Sequence, residues 1–415
     1  MSARRAVVIG GSLGGLLVAH LLRRTGWDAV VFERNADELA SRGVGLGTHP
    51  QLIDVIRRAG IAFDETMGIK VPKVICLAHD GSTVVEQPTT RTMSGWARLY
   101  RALREALPAE NYRLGKALLR VEQDDDGVAA IFGDGTCERG DILIGADGLR
   151  STVRQQYLPQ TEPVYAGYVA WRAVLDEALV PVHIRREIFE LYTFCLPDGE
   201  QLVGYPVPGR DNDTQAGRRG YNIVWYRPTN ARMLAEMCTD AGGVHHPGGI
   251  PPPLIRPEVI ARVKADAMAL LAPQIAEIFI RAVPFFQPIF DLESPRLVFG
   301  RVALAGDAAF VARPHVGAGA TKAAIDAASL ADCLHDAPDN IAAGLAQFER
   351  KQSAFGRAMV ALARDQGAYL SAQLKPAAER SAEERDRNID AILHAHGTRS
   401  DQVGAIFARR GLADF

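Results

Sequence analysis

The chain has 415 residues, 47 % of them hydrophobic, and a formal net charge of −2. That length holds two domains, or one large domain carrying an insertion. The balanced charge, with no basic stripe, speaks against nucleic acid as a partner, and after the first motif no apolar run of about 18 residues escapes glycine or charge, so no membrane span is expected.

Residues 5–34 read as strand, turn, helix and strand. Ala6–Ile9 is an apolar run. It breaks into Gly10-Gly-Ser-Leu-Gly-Gly15, an apolar-periodic helix follows, and residues 27–32 form a second strand closed by Glu33. This is the context that turns a glycine motif into a dinucleotide-binding site. Gly10 lets the chain turn, Gly15 lets the helix approach the sheet, and the helix start at Ser12-Leu13 offers N–H groups to a pyrophosphate. Glu33 at the strand tip suits the hydroxyls of a ribose. Ser12 replaces the middle glycine of G-x-G-x-x-G and brings a hydroxyl that can donate to phosphate. Arg4-Arg5 before an apolar run also resembles a secretory signal, but the glycines, Arg23-Arg24 and the missing small-residue cleavage site argue against it.

Further along, the Arg42–Thr48 stretch is glycine-rich, residues 50–58 have helical spacing, and residues 71–88 alternate around Asp80-Gly81 as a hairpin. Residues 96–107 again have helical spacing, and 118–132 read as a hairpin. A second strand-to-turn motif follows at Gly145-Ala-Asp147-Gly148, before Ser151 and Arg154. Residues 161–227 are rich in aromatic and β-branched residues, with strands expected over 165–175, 186–196, 201–207 and 220–227; such a block roofs a pocket. Residues 242–257 form a Gly/Pro loop, helical spacing covers 258–281, and Phe285–Phe290 suggests a last roof strand. The third motif is Ala305-Gly306-Asp307, then Arg313-Pro314-His315-Val316-Gly317-Ala318-Gly319, then a small-residue helix from Ala320. Asp307 suits a polyol hydroxyl, and the helix N-terminus at 317–320 favours developing negative charge. The tail from 345 is helical and charged, expected to pack outside the first domain. The five cysteines (76, 137, 195, 238 and 333) lack C-x-x-C spacing, which fits a reducing cytosol and a cytoplasmic protein. The ten histidines show no metal-ligand spacing, and no metal is expected.

GGSLGG with Glu33, GADGLRSTVR with Asp147, and AGDAAF…RPHVGAGATKA with Asp307, in this order, resemble the single-component FAD-dependent aromatic hydroxylases, the family of p-hydroxybenzoate hydroxylase. The serine of GGS, residues 165–172 (YAGYVAWR) and the Arg-Pro-His and Lys322-Ala pieces resemble its hydroxypyridine branch. The resemblance implies an α/β fold: a glutathione-reductase-type, Rossmann-like FAD domain (1–70, 95–160 and 296–345) interleaved with a mixed β-sheet substrate domain (71–94 and 161–295), then a C-terminal helical segment (346–415). It implies that FAD is bound, that NADH or NADPH visits transiently, and that O2 is used to hydroxylate an electron-rich ring, a hydroxylated pyridine or a phenol, through a C4a-hydroperoxyflavin. A small aromatic substrate and O2 are the partners; a homodimer stays open. Ser12, Glu33 and Arg34 would touch the ADP half, the backbone near Val121 the adenine, and Asp147 the pyrophosphate side. Asp307 beside Gly306 would bind the ribityl chain, and Pro314 to Ala320 would pass under the isoalloxazine. Phe310 stands where many members carry histidine, and Trp96 near where others place an arginine, for which Arg98 would substitute. His315, Tyr205 and His49 are the candidates to face the ring as base or positioning groups, and each has an ordinary structural reading as well. Tyr192, Phe194, Tyr205, Trp225 and Phe286 suggest a flat apolar pocket. The other readings are an oxidase, halogenase or reductase on the same scaffold, though the W-x-W-x-I-P signature of halogenases is missing, and a redox-silent FAD-binding protein.

Overall fold

The structure, a computed structural model, describes residues 3–39, 45–63, 67–381 and 384. Arg42 to Val44 of the expected glycine run, and the tail after residue 384, lie outside the described residues. Two sheets dominate. The first has six strands, with Arg5–Ile9 at its centre between Asp28–Phe32 and Ile142–Gly145, all parallel. Val302–Leu304 continues the parallel run beyond Ile142–Gly145. Beyond Arg5 and Asp28, which pair at the strand starts, these segments are apolar because both faces are covered; Val7, Val8, Leu143 and Ala303 are wholly buried. The helices Leu13–Arg24 and Gly319–Asp336 pack together within this core. A three-stranded sheet (Leu118–Gln123, Val128–Phe132, Cys137–Gly140) adds Phe132, whose ring lies 4.9 Å from that of Phe32.

Register decides the function of this layer. Ile9 is level with Phe32 on one side and with Gly145 on the other, and Gly145 is level with Leu304. The strands therefore end together, and the turns bearing Gly10, Glu33, Asp147 and Asp307 gather along one edge, where doubly wound sheets bind ligands.

The second sheet has nine strands and is mostly antiparallel. Its strands alternate faces with period two. Along Val164–Asp176, Tyr168 and Ala170 point to one side, while Val169, Trp171 and Ala173 point to the other. The second side packs against helices Pro257–Leu270 and Pro273–Arg281. The first carries Tyr192, Val203, Tyr205, Val224 and Tyr226 and roofs the ligand edge of the six-stranded sheet.

Three expectations about elements are corrected and one is refined. Gly45–Thr48 and Phe310–Val311, expected within the FAD domain, pair with the roof, against Thr83–Gly95 and Phe285–Glu293. The chain crosses between layers there, and the crossing segments extend the sheet. The strand expected over 186–196 is the helix Val182–Ile188 followed by the strand Tyr192–Cys195. Ile184 and Ile188, four apart and both buried, show which period won. The helical spacing over 258–281 resolves into two helices, Pro257–Leu270 and Pro273–Arg281, because Pro273 lacks the N–H needed to continue the first helix. The helix Ile341–Ala372, expected outside the first domain, is a central strut. Its Phe355, Met359 and Ala363 pack beneath Val316 and Ala318, Leu370 joins the roof cluster, and Ser371 donates to the Ala166 carbonyl (2.8 Å). At Gly356 a Cβ would lie 2.1 Å from the Phe310 ring, so glycine lets the strut lie directly on Phe310. No helix among the described residues is long and apolar enough to cross a membrane.

Candidate active site

The first strand-tip turn opens a cleft of ≈ 420 Å³. Gly10 has φ +107°, and a Cβ there would meet the Ala146 carbonyl oxygen at 2.3 Å. A Cβ on Gly15 would strike the Gly10 oxygen at 1.9 Å, so Gly15 serves helix packing. Leu13 begins the helix and turns its side chain into the core, leaving its backbone N–H at the ligand end. Ser12 is the N-cap, yet its hydroxyl caps nothing and lines the cleft. Glu33 is buried at the far wall. Its Oε2 accepts from the Gly11 N–H (2.8 Å) and its Oε1 from the Asn35 N–H (2.9 Å). Oε1 also accepts from the Asn35 side-chain amide, so it is Oε2 that keeps a second lone pair for a ribose hydroxyl. Arg34 stands exposed at the rim.

At the second turn, Asp147 Oδ2 accepts from the N–H groups of Thr152 (2.7 Å) and Val153 (3.2 Å). Its Oδ1 is sealed from solvent and has no donor among the described residues. Burial pushes this carboxyl up, against the pull of its N–H donors. Asp147 lines the same cleft as Gly10 and Glu33, and a buried acceptor without a donor beside that cleft fits a hydroxyl-bearing ligand or an ordered water. Arg154, almost wholly buried, ties this turn to the third by donating to the carbonyls of Leu149 (2.6 Å) and Ala308 (3.0 Å).

The third turn is held from below. Lys322, 1 % exposed, donates to the Gly306 carbonyl and to Asp326, both at 2.9 Å. Asp326 accepts from the Gly306 N–H at 2.8 Å. One buried ion pair thus grips both sides of Gly306, which takes the left-handed φ of +62°. Asp307, next in the chain, stands open to a second cavity but walled by protein. Those walls push its carboxyl up, Lys322 pulls it down, and Asp326 pushes it up again. Past Pro314–Val316 and the left-handed Gly317, the helix Gly319–Asp336 begins with Ala318 as an N-cap that offers no side-chain bond. Gly319 and Ala320 present its N-terminus to the same cavity, of ≈ 330 Å³.

This second cavity lies between the floor loop and the roof. Tyr192 and Tyr205 stack with centroids 5.2 Å apart and planes 7° apart. Tyr226 lies 4.4 Å from the His315 ring, and His315 Nε2 pairs with the Tyr168 hydroxyl at 2.8 Å. His49 Nδ1 pairs with the Thr321 hydroxyl at 2.9 Å, and burial, helped by Arg91, brings it down to about 4. The Tyr205 hydroxyl donates to the Gly45 carbonyl at 3.3 Å, and burial raises it strongly, so it stays protonated. Trp96 lines both cavities and stacks on Tyr100 (5.1 Å).

The structure thus brings His49, Tyr205 and His315 into one cavity with Asp307, Pro314, Gly317, Gly319 and Ala320. Gly306 and Ala318 serve the turn and the packing beneath. Two expected contacts fail. Val121 is buried, with its N–H and carbonyl both taken by the Gln156 amide (2.8 and 2.7 Å), and Ala117 and Leu118 line the cleft instead. Arg98 turns to the Asn212 carbonyl (2.7 Å) and the Met67 sulfur (3.1 Å), leaving Trp96 as the wall. Two roof aromatics face away from the ring cavity. Trp225 packs on Phe279 and Phe286 on Trp171, both in the core behind the sheet. Arg91, Arg172, Gln201 and Tyr226 line the cavity and were missed, so its wall is not simply apolar. The alternation Tyr168–Ala170–Arg172 held the signal for Arg172.

The comparisons with known proteins agree with this geometry. The family model described as FAD binding domain-like matches residues 165–291. The chain is 33 % identical over 358 residues to the 2,6-dihydroxypyridine 3-monooxygenase of Paenarthrobacter nicotinovorans, covering 85 % of this chain and 88 % of that one. It is 28 % identical over 356 residues to the 6-hydroxynicotinate 3-monooxygenase of Bordetella bronchiseptica, covering 79 % and 81 %. The solved structure of 2,6-dihydroxypyridine-3-hydroxylase from Arthrobacter nicotinovorans matches with a TM-score of 0.82 at 30 % identity, covering 89 % and 93 %.

Two outcomes follow from this geometry. Asp307→Ala removes a charge-assisted acceptor and should weaken flavin retention by ~1.5–3 kcal/mol, read as the FAD dissociation constant; an unchanged constant removes Asp307 from the site. His49, brought down to about 4 from 6.5, stays neutral in the fold while the unfolded chain takes its proton first. Its contribution is whole above pH 6.5 and is lost as the pH falls toward 4, at most about 3 kcal/mol. Urea unfolding of His49→Asn should show a flatter acid limb across that window than the parent; equal limbs contradict the assignment.

Proposed function

The chain belongs to the FAD-dependent monooxygenases that hydroxylate aromatic and heteroaromatic rings, and we propose that its own substrate is a hydroxylated pyridine or a related phenol held under the strand face of Tyr192, Tyr205 and Tyr226. The observation that carries this reading is the cavity itself. Asp307, the Pro314–Ala320 floor and an uncapped helix N-terminus meet a wall of stacked tyrosines and two histidines there.

The residues fit FAD along the whole edge. Ser12 and the N-terminus of Leu13–Arg24 suit the pyrophosphate, and Glu33 with Arg34 the ADP ribose side. Asp147 suits a hydroxyl or ordered water beside the pyrophosphate, and Asp307 the ribityl chain. When bound and reduced by NADH or NADPH, FAD supplies the activation of O2. Everything else is the work of the chain. The Gly319–Ala320 N–H groups favour negative charge on whatever lies over the floor. The stacked Tyr192 and Tyr205 hold a flat ring in place and keep water from it. Tyr205, held protonated and bonded to Gly45, is a wall and not a base. His49, neutral at pH 7, is bonded to Thr321 and keeps the first residues of the floor helix in position. His315, which lines the cavity, is the group assigned to take the proton of a ring hydroxyl, and its bond to Tyr168 orients the imidazole. Tyr168 in turn lies beside Arg313, which is locked on Asp291 at 2.8 Å.

Stimulation of NADH and NADPH oxidation across a panel of hydroxypyridines and phenols tests the reading. A hydroxypyridine should stimulate most, and no stimulation by any ring contradicts it. His315→Ala should keep its flavin but lose coupling, with about 10²-fold or more less hydroxylated product and more peroxide; unchanged coupling removes His315 from the chemistry.

A further inference from the structure

We propose that Arg172, with Arg91 lining the same cavity, forms an anion site there, and that this chain takes its substrate as an anion, through either a carboxylate or an ionised ring hydroxyl. The inference rests on reading this cavity as the substrate site.

The buried arginines elsewhere are saturated. Arg154 has three carbonyls, Arg219 has Glu177 and Glu190, and Arg313 has Asp291 and Ser371. Arg172 differs. It stands in mid-strand on the cavity face, level with Val224 on one neighbour and Phe285 on the other. It lines both the ring cavity and the adjoining ≈ 490 Å³ groove beside Phe285–Phe290. It makes no hydrogen bond or ion pair among the described residues, and its Nε is sealed from solvent without an acceptor. A half-buried guanidinium with no acceptor is costly to keep, and the acceptor it lacks is what a ligand would bring. Carboxylates and aryl oxyanions match its planar fork.

The surroundings point the same way. Arg172 lines the cavity with Tyr205 and Tyr226, and its charge lowers both of their raised hydroxyls. Arg91 lies 4.9 Å over the Tyr192 ring and also acts on His49 and Tyr205. With His49 neutral, two fixed positive charges face one acid, Asp307, and Asp307 is assigned to the cofactor. An anion held here is stabilised in the ionised form that electrophilic attack on the ring requires.

The test uses the FAD-loaded full chain and the absorption change of its flavin on titration with matched probes. One pair is 6-hydroxynicotinate and 6-hydroxynicotinamide; the other is 4-nitrophenol and 4-nitroanisole. The parent should bind the anionic member of at least one pair about tenfold or more tighter. R172M should erase that preference, a loss of about 10- to 100-fold, with a much smaller change for the neutral member, and R172K should recover part of it. A carboxylate source shows in the first pair and is flat with pH near neutrality; a ring-hydroxyl source shows in the second and grows as the phenol ionises. A parent that binds both members of each pair equally, or an R172M that keeps the preference or loses both members alike, overturns the inference while leaving the cavity as the ring site. Should no aromatic probe perturb the flavin, the substrate-site reading falls and takes this one with it. Should R172M lose its flavin, the parent's preference and the R172K value decide.

Discussion

A lysine and an aspartate four residues apart, both buried, hold the centre of this protein together. Lys322 and Asp326 each spend a bond on the same residue, Gly306. Burying such a pair is expensive, and the cost is offset only when the remaining donors and acceptors are filled. Here they are filled by a peptide that must turn left-handed. That one grip fixes three things. It sets the direction of Asp307, it anchors the helix Gly319–Asp336 to the end of the strand Val302–Leu304, and it holds the loop from Pro314 to Gly319 across the gap between sheet and roof. Arg154 does the same between the second and third turns through Leu149 and Ala308.

The dinucleotide half was legible because its chemistry lies in backbone shape. A glycine at φ +107°, a helix that must pack within reach of a carbonyl, and an acid at the next strand tip leave marks that one sequence displays. Parallel strands buried on both faces leave apolar runs that are just as plain. The roof was harder. Its strands were found, but which side of each faced the ring depends on register against strands far away in sequence. A shift of one residue exchanges the faces. Trp225 and Tyr226 are neighbours, and the larger, more hydrophobic one lies behind the sheet. Arg98 and Val121 were misjudged for another reason. Their partners, Asn212 with Met67 and Gln156, come from distant parts of the chain and leave no local signal.

Charge is divided between the two halves of the edge. Carboxylates stand at the tips of the parallel strands, where sugar hydroxyls need acceptors. Guanidiniums stand in the roof, where a ring needs to carry negative charge. His49 and Tyr205, which by residue type alone were candidates for proton transfer, are kept neutral by burial. His315 remains, paired with Tyr168 beneath an arginine–aspartate lock that also engages Arg364 of the long strut helix. The long strut helix thus supports the floor, the Tyr168–His315 pair and the roof together. Removing its contacts would loosen the cavity without touching a cofactor-binding residue.

The central claim is that the three strand-tip turns and the roof form a single oxygen-inserting site. The most direct test is the fate of oxygen-18 supplied as O2 to the FAD-loaded chain with NADH or NADPH and a ring that stimulates its oxidation. The account predicts one oxygen-18 atom on the ring carbon of the product and none when the label is supplied as water. A product labelled from water, or a ring oxidised with no label from O2, would contradict it.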